Sequence, residues 1–246
     1  MGERCVVAGV DGSVQGLETA EWAAAEAQRR RCALRLMGSG LPGGLDGVLA
    51  AVRVRHPALS MTTQRDERPQ SALLSASAGA GLLVISAMNR DARRIAAGAQ
   101  CPVVLVREAT AGEIVLGLDA RHPAATATGF AFDAAQRQGC RLRVVHAWRL
   151  PAPVKGRARY TVLEEDRAEW EDEEVQVLHD ALRRWREKYA EVDVLPDVRL
   201  FTASWALVNA SSHAGLVVLG RGPDGLGPVG HAVAEFAESP VAFVPA

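Results

Sequence analysis

The chain repeats itself, and the repeat dictates its fold class. Val7, Gly9 and Asp11 recur in one register at Val115, Gly117 and Asp119. The same offset carries Gln28-Arg29 onto Gln136-Arg137, Cys32 onto Cys140 and Leu34-Arg35 onto Leu142-Arg143. At larger offsets Gly81-Leu82-Leu83-Val84 returns as Gly215-Leu216-Val217-Val218, and Cys101-Pro102-Val103 as Ser239-Pro240-Val241. The repeat divides the chain into residues 1–110 and 111–246, the second half carrying an extra block. That block reads as a helix from about Val162 to Tyr189, with Trp170, Val177, Leu178, Ala181, Leu182, Trp185 and Tyr189 as its apolar stripe. Asp180–Arg184 and Arg183–Glu187 are the expected pairs on its solvated face.

Each half alternates short apolar runs with helical patterns, which predicts a parallel sheet covered on both faces. A short extra strand is expected before the third helix of each half, at Ser60–Thr63 and Val198–Phe201. The expected architecture is α/β: two tandem doubly wound, Rossmann-like open sheets, mostly parallel and five-stranded, packed as a pseudo-two-fold dimer. Right-handed crossovers gather the loops after the strands along one edge, where such sheets bind ligands.

The last thirty-odd residues raise the question of a ligand. An apolar run ends at Gly220, and Gly220, Gly222, Gly225 and Gly227 then lead into a helical stretch. Bare backbone amides at a helix start make an anion site. Gly220-Arg221-Gly222-Pro223-Asp224-Gly225 matches G-x-G-x-x-G, but the strand that follows carries no ribose-holding acid, so a nicotinamide dinucleotide is not expected.

A formal net charge of −1 argues against nucleic acid as a partner. No apolar run reaches about 20 residues, so no membrane span is expected. The first apolar run is cut at Asp11, too early for a signal peptide, and Val6 departs from the myristoylation pattern after Met1-Gly2. These readings point to the cytoplasm. Cys5, Cys32, Cys101 and Cys140 have no metal or redox spacing and read as buried free thiols. No histidine or serine stands at the spacing of a catalytic triad or metal site.

In order and in duplicate, these motifs resemble a tandem universal stress protein. Strands end in Asp at Val10-Asp11 and Leu118-Asp119. A His-Ala pair follows at His146-Ala147, and a closing "PVxVV" phrase at Pro102-Val103-Val104 and Pro240-Val241. The resemblance implies the adenine nucleotide alpha hydrolase-like version of the doubly wound fold, and ATP as the candidate ligand. ATP-binding relatives carry G-2x-G-9x-G-(S/T) at the glycine loop. Here only Leu226 separates Gly225 from Gly227, and Pro228 stands where a hydroxyl would meet phosphate. The loop of the first half, Ser86 to Ala92, has no glycine, so nucleotide binding is expected in the second half alone.

Transferred residue by residue, the resemblance makes Asp119, Ala147, Gly220, Arg221, Gly222, Gly225 and Gly227 the candidate binding residues. Asp119 would lie near the adenosine, or alternatively cap the turn it begins. Ala147 would offer backbone to adenine. Arg221 and the basic loop Lys155–Arg159 are candidates for the triphosphate. The expected function is a non-catalytic stress-response regulator sensing an adenine nucleotide, with a regulatory protein and a second copy of the chain as candidate partners. Two alternatives stand beside it: an interaction module with both nucleotide sites decayed, and an ATP-consuming enzyme, which lacks an acid–base or metal constellation.

Overall fold

The computed structural model describes residues 5–39, 44–108, 112–150 and 164–246. Met1-Gly2 and the Lys155–Arg159 loop lie outside them. The first half runs β1 (Val6–Gly9), α1 (Val14–Arg29), β2 (Leu34–Gly38), α2 (Gly44–Arg55), β3 (Met61–Arg65), α3 (Pro69–Ser77), β4 (Leu82–Ser86), α4 (Ala92–Gly98) and β5 (Val103–Val106). The second half repeats the order: β6 (Glu113–Gly117), α5 (Ala125–Gln138), β7 (Leu142–Trp148), α6 (Glu164–Lys188) and β8 (Val194–Leu200). It closes with α7 (Ala203–Ser211), β9 (Ala214–Arg221), α8 (Gly227–Phe236) and β10 (Val241–Pro245).

The two expected parallel sheets are continuous with each other. Ten strands form one sheet in the order β3-β2-β1-β4-β5-β10-β9-β6-β7-β8. Every described pairing is parallel except β5 with β10, where Val103 faces Phe243 and Leu105 faces Val241. That antiparallel seam relates the two halves. Helices α1, α2, α5 and α6 cover one face of the sheet and α3, α4, α7 and α8 the other, giving two apolar layers. Sheet strands buried on both faces read as unbroken apolar runs, which is why Leu82 to Ile85 and Val241 to Val244 carry no polar residue.

Local chemistry sets the helix ends. Ser13 caps α1 by accepting from the Gly16 amide at 3.0 Å, and Thr202 caps α7 by accepting from Trp205 at 3.3 Å. Gly139 closes α5 at φ +61°, a conformation that costs glycine nothing. Alanines 20, 23, 24 and 27 of α1 are fully buried, and their small side chains bring that helix close to the sheet.

The inserted helix α6 buries most of the expected stripe, with Leu178 and Leu182 in the core and Val177, Ala181 and Trp185 packed against it, whereas Trp170 is half-buried and outside that cluster. Trp185 and Tyr189 stack around Phe132 at centroid distances of 5.8 and 5.2 Å, and the Tyr189 hydroxyl donates to Asp133 at 2.6 Å. Its solvated face departs from expectation: Arg183 pairs with Asp180 at 3.9 Å in place of Glu187. Strand β8 is longer than the short strand expected, and it tolerates Pro196 because it is an outer edge. All four cysteines are free, but only Cys101 is buried. Burial raises its thiol to about 11, so it is inert.

Two arginines cross the seam in opposite directions. Arg107, just past β5, donates to the Ala234 carbonyl at 2.6 Å and to Glu235 at 3.0 Å, at the end of α8. Arg221, at the end of β9, donates to Ala97 at 2.7 Å and to Ala99, at the end of α4. Each guanidinium thus meets unpaired carbonyls at the negative end of the other half's last helix.

Candidate functional site

In the second half the strand order reverses between β6 and β9, and a cavity opens beyond their carboxyl ends. Its volume is about 300 Å³. Gly117, Leu118 and Asp119 line it beside Val145 and Ala147 of the adjoining β7, and Ala203, Leu207, Leu219 and Val229 complete the lining. The structure therefore brings Asp119 and Ala147 together, beside the first turn of α8. Gly117 lets the leucines close in: a Cβ there would stand 2.5 Å from Leu219 Cδ2 and 2.8 Å from Leu207 Cδ1, so those side-chain tips would have to shift.

Asp119 is exposed and takes up the capping geometry. Its Oδ1 accepts from the Arg121 amide at 3.0 Å and its Oδ2 lies 3.2 Å from His122 Nδ1. Partial burial acts to raise its pKa, but these hydrogen bonds outweigh it and hold the carboxyl below its usual value.

None of the four glycines walls the cavity. Gly220 packs β9 against α5, where a Cβ would stand 2.9 Å from Ala124 Cβ. Gly222 and Gly225 pair with each other across a tight turn, the Gly225 amide donating to the Gly222 carbonyl at 3.2 Å. The Gly225 amide is thus already committed. Gly225 and Gly227 hold φ values of +105° and +64°, which side-chain-bearing residues rarely adopt. Pro228 lies in the first turn of α8 and has no N–H, leaving Gly227 and Val229 as that turn's donors.

Arg221 requires a correction. Expected to reach a triphosphate, its side chain is buried, 8 % exposed, with its guanidinium bonded across the seam to α4. A sequence cannot reveal this role, because it depends on where the other half sits.

A polar cluster behind the cavity was not singled out in the sequence. His146, 3 % exposed, sets Nε2 at 3.0 Å from Glu174 Oε2 and Nδ1 at 3.3 Å from the Ala120 amide. Arg121 donates to Glu174 at 2.7 Å and Glu173 at 3.2 Å. The inserted helix α6 is thereby tied to the loop that presents Asp119. Burial opposes the charge on Glu174, yet Arg121 and His146 outweigh it and depress its pKa. A depressed carboxylate pKa stabilises the fold above the unfolded-state value, and that stability is lost as pH falls through the folded value. Glu174→Gln is therefore expected to cost about 1–2 kcal/mol at neutral pH. The difference from wild type should shrink in thermal melts as pH drops below about 4.

The first half has its own cavity at the corresponding place, about 280 Å³, bordered by Asp11, Ser13, Ser86, Met88 and Asn89. Here side chains stand where the second half has glycines, and Asn89 Oδ1 already takes the Asp91 amide at 2.8 Å. Among the described residues no three His, Cys, Asp or Glu side chains are grouped to hold a metal. No described helix is long and apolar enough to cross a membrane.

The model of the universal stress protein family matches residues 111–245. Universal stress protein Rv2623 of Mycobacterium tuberculosis is 31% identical over 159 residues, covering 58% of this chain and 50% of that protein. Rv1996 of the same organism is 25% identical over 229 residues, covering 87% of this chain and 69% of the relative. The chain thus spans about half the length of the first of these curated relatives. Among solved structures, a functionally unknown protein, PA1789 of Pseudomonas aeruginosa PAO1, superposes with a TM-score of 0.69 at 18% identity, covering 99% of this chain and 92% of its own. A universal stress protein of Archaeoglobus fulgidus DSM 4304 gives 0.62 at 11% identity, covering 97% of this chain and 98% of its own. The repeated strand order, the cavity at the β6–β9 reversal and the family match over the second half together place this chain in the universal stress protein family.

Proposed function

We propose that the protein is a non-catalytic stress-response regulator whose residues 1–110 are a second, diverged copy of the family domain. It senses an adenine nucleotide through residues 111–246 alone. The observation that carries this reading is the cavity itself, which brings Asp119, just past β6, and Ala147, near the end of the adjoining β7, to the lining of one slot. A carboxylate suits a ribose hydroxyl, and the slot has the volume of the smaller ligand pockets, which begin at about 300 Å³. The residues fit the nucleoside better than the polyphosphate. Arg221 is engaged elsewhere, Gly225 is bonded within its turn, and Pro228 withholds an amide. Gly227 and Val229, at the positive end of α8, are the donors left for phosphate.

Calorimetric titration with ATP and with adenosine tests this. Submillimolar ATP binding is expected, with adenosine within about tenfold of it because the nucleoside supplies most of the recognition. Asp119→Ala and Val229→Trp should each weaken ATP by about tenfold or more, read at a temperature where both variants are folded. No heat at millimolar ATP would overturn the nucleotide reading and leave a nucleotide-independent interaction module. The diverted Arg221 and the closed Gly222–Gly225 turn are the features that favour that second reading.

A further inference from the structure

The carboxyl end of β5 opens onto a long groove beside the seam. Val106, Arg107 and Glu108 are shared by two adjoining cavities of about 740 and 770 Å³, one reaching the end of α8 and the other running along α1. Its exposed apolar side chains are large: Val14 is 68 % exposed, Met88 74 % and Phe236 62 %. Single exposed apolar residues are ordinary, but several bordering one groove mark an interaction surface.

The charges bordering the groove are unequal. Its arginines are already engaged, Arg107 with the carbonyls of α8, Arg55 with Glu21 at 3.1 Å and Arg29 with Glu26 at 2.9 Å. The Glu18, Glu108 and Glu238 carboxylates border the same groove with no cationic partner among the described residues. An apolar floor edged by free carboxylates repels nucleic acid and anionic membranes and complements a segment that is apolar on one side and basic on the other. We propose that this groove docks a basic amphipathic segment of a partner protein. Its apolar side chains lie against Val14, Met88 and Phe236, and its lysines or arginines lie over Glu18, Glu108 and Glu238. This surface is separate from the β6–β9 cavity, so the proposal stands or falls independently of nucleotide binding.

Fluorescence anisotropy with a labelled Leu/Lys amphipathic peptide, and a Leu/Glu peptide of the same pattern, provides the test. The Leu/Lys probe is expected to bind in a salt-sensitive way, and the combined variant E18Q/E108Q/E238Q to weaken it by about tenfold. Phe236→Ser, at an exposed site, should weaken it by a similar factor without lowering the melting temperature. The variant E169Q/D172N/E187Q makes the same charge change on α6 and should leave binding untouched. Equal weakening by the α6 variant, equal binding of the Leu/Glu probe, or no binding at about 100 µM would each overturn the proposal.

Discussion

Phe243→Ala is expected to cost about 3–5 kcal/mol and to lower the melting temperature by roughly 10 °C. The side chain is fully buried in β10, the seam strand, where Phe243 faces Val103 of β5, and its ring lies beneath α8, 3.4 Å from the position of a Cβ on Gly230. The ring's departure leaves a cavity that few neighbours can fill, because β10 is hydrogen-bonded on both sides and cannot move inward. Urea unfolding measures the effect, and Phe243→Leu should recover more than half of it. A loss below about 1 kcal/mol would mean that the strand is not packed as described.

Arg221→Ala is expected to cost about 2–3 kcal/mol, the worth of charge-assisted hydrogen bonds in a buried setting together with the carbonyls left bare. Burial lowers the guanidinium's pKa, and an arginine remains charged throughout the physiological range regardless. Arg221→Lys should recover little, because an ammonium cannot span two carbonyl oxygens as a planar fork does. The same variant separates two roles for this residue. A seam residue loses stability and keeps its ligand affinity, whereas a phosphate ligand would do the reverse. Paired melting and ATP titration of Arg221→Ala distinguish these outcomes.

The fold was largely legible because its signals are local and doubled. Apolar runs such as Leu82–Ile85 announce buried parallel strands, and the stripe from Val177 to Tyr189 announces a helix lying on a sheet. That Asp119 and Ala147 come to one cavity was also legible, since one stands just past β6 and the other near the end of β7, and both strand ends are visible in the sequence. The limits are equally physical. Arg221 ends its strand where a phosphate-binding arginine would, but its destination lies more than a hundred residues earlier in the chain, on α4. His146 and Glu174 sit on a strand and an inserted helix whose register against one another is set by packing of Phe132, Trp185 and Tyr189. The spacing of the glycines suggests one cradle, whereas each answers a different need: close packing at Gly220, a tight turn at Gly222 and Gly225, and a left-handed helix entry at Gly227.

The β5–β10 pairing joins two halves of one polypeptide, and this alters how its integrity responds to dilution. Separate subunits meeting along such strands would come apart as they grew scarce, since their association depends on protomer concentration. Here the effective concentration of each half about the other is fixed by the tether, so the join persists however few molecules are present. The outermost strands, β3 with Thr62, Thr63 and Gln64, and β8 with its proline, are poor templates for further addition.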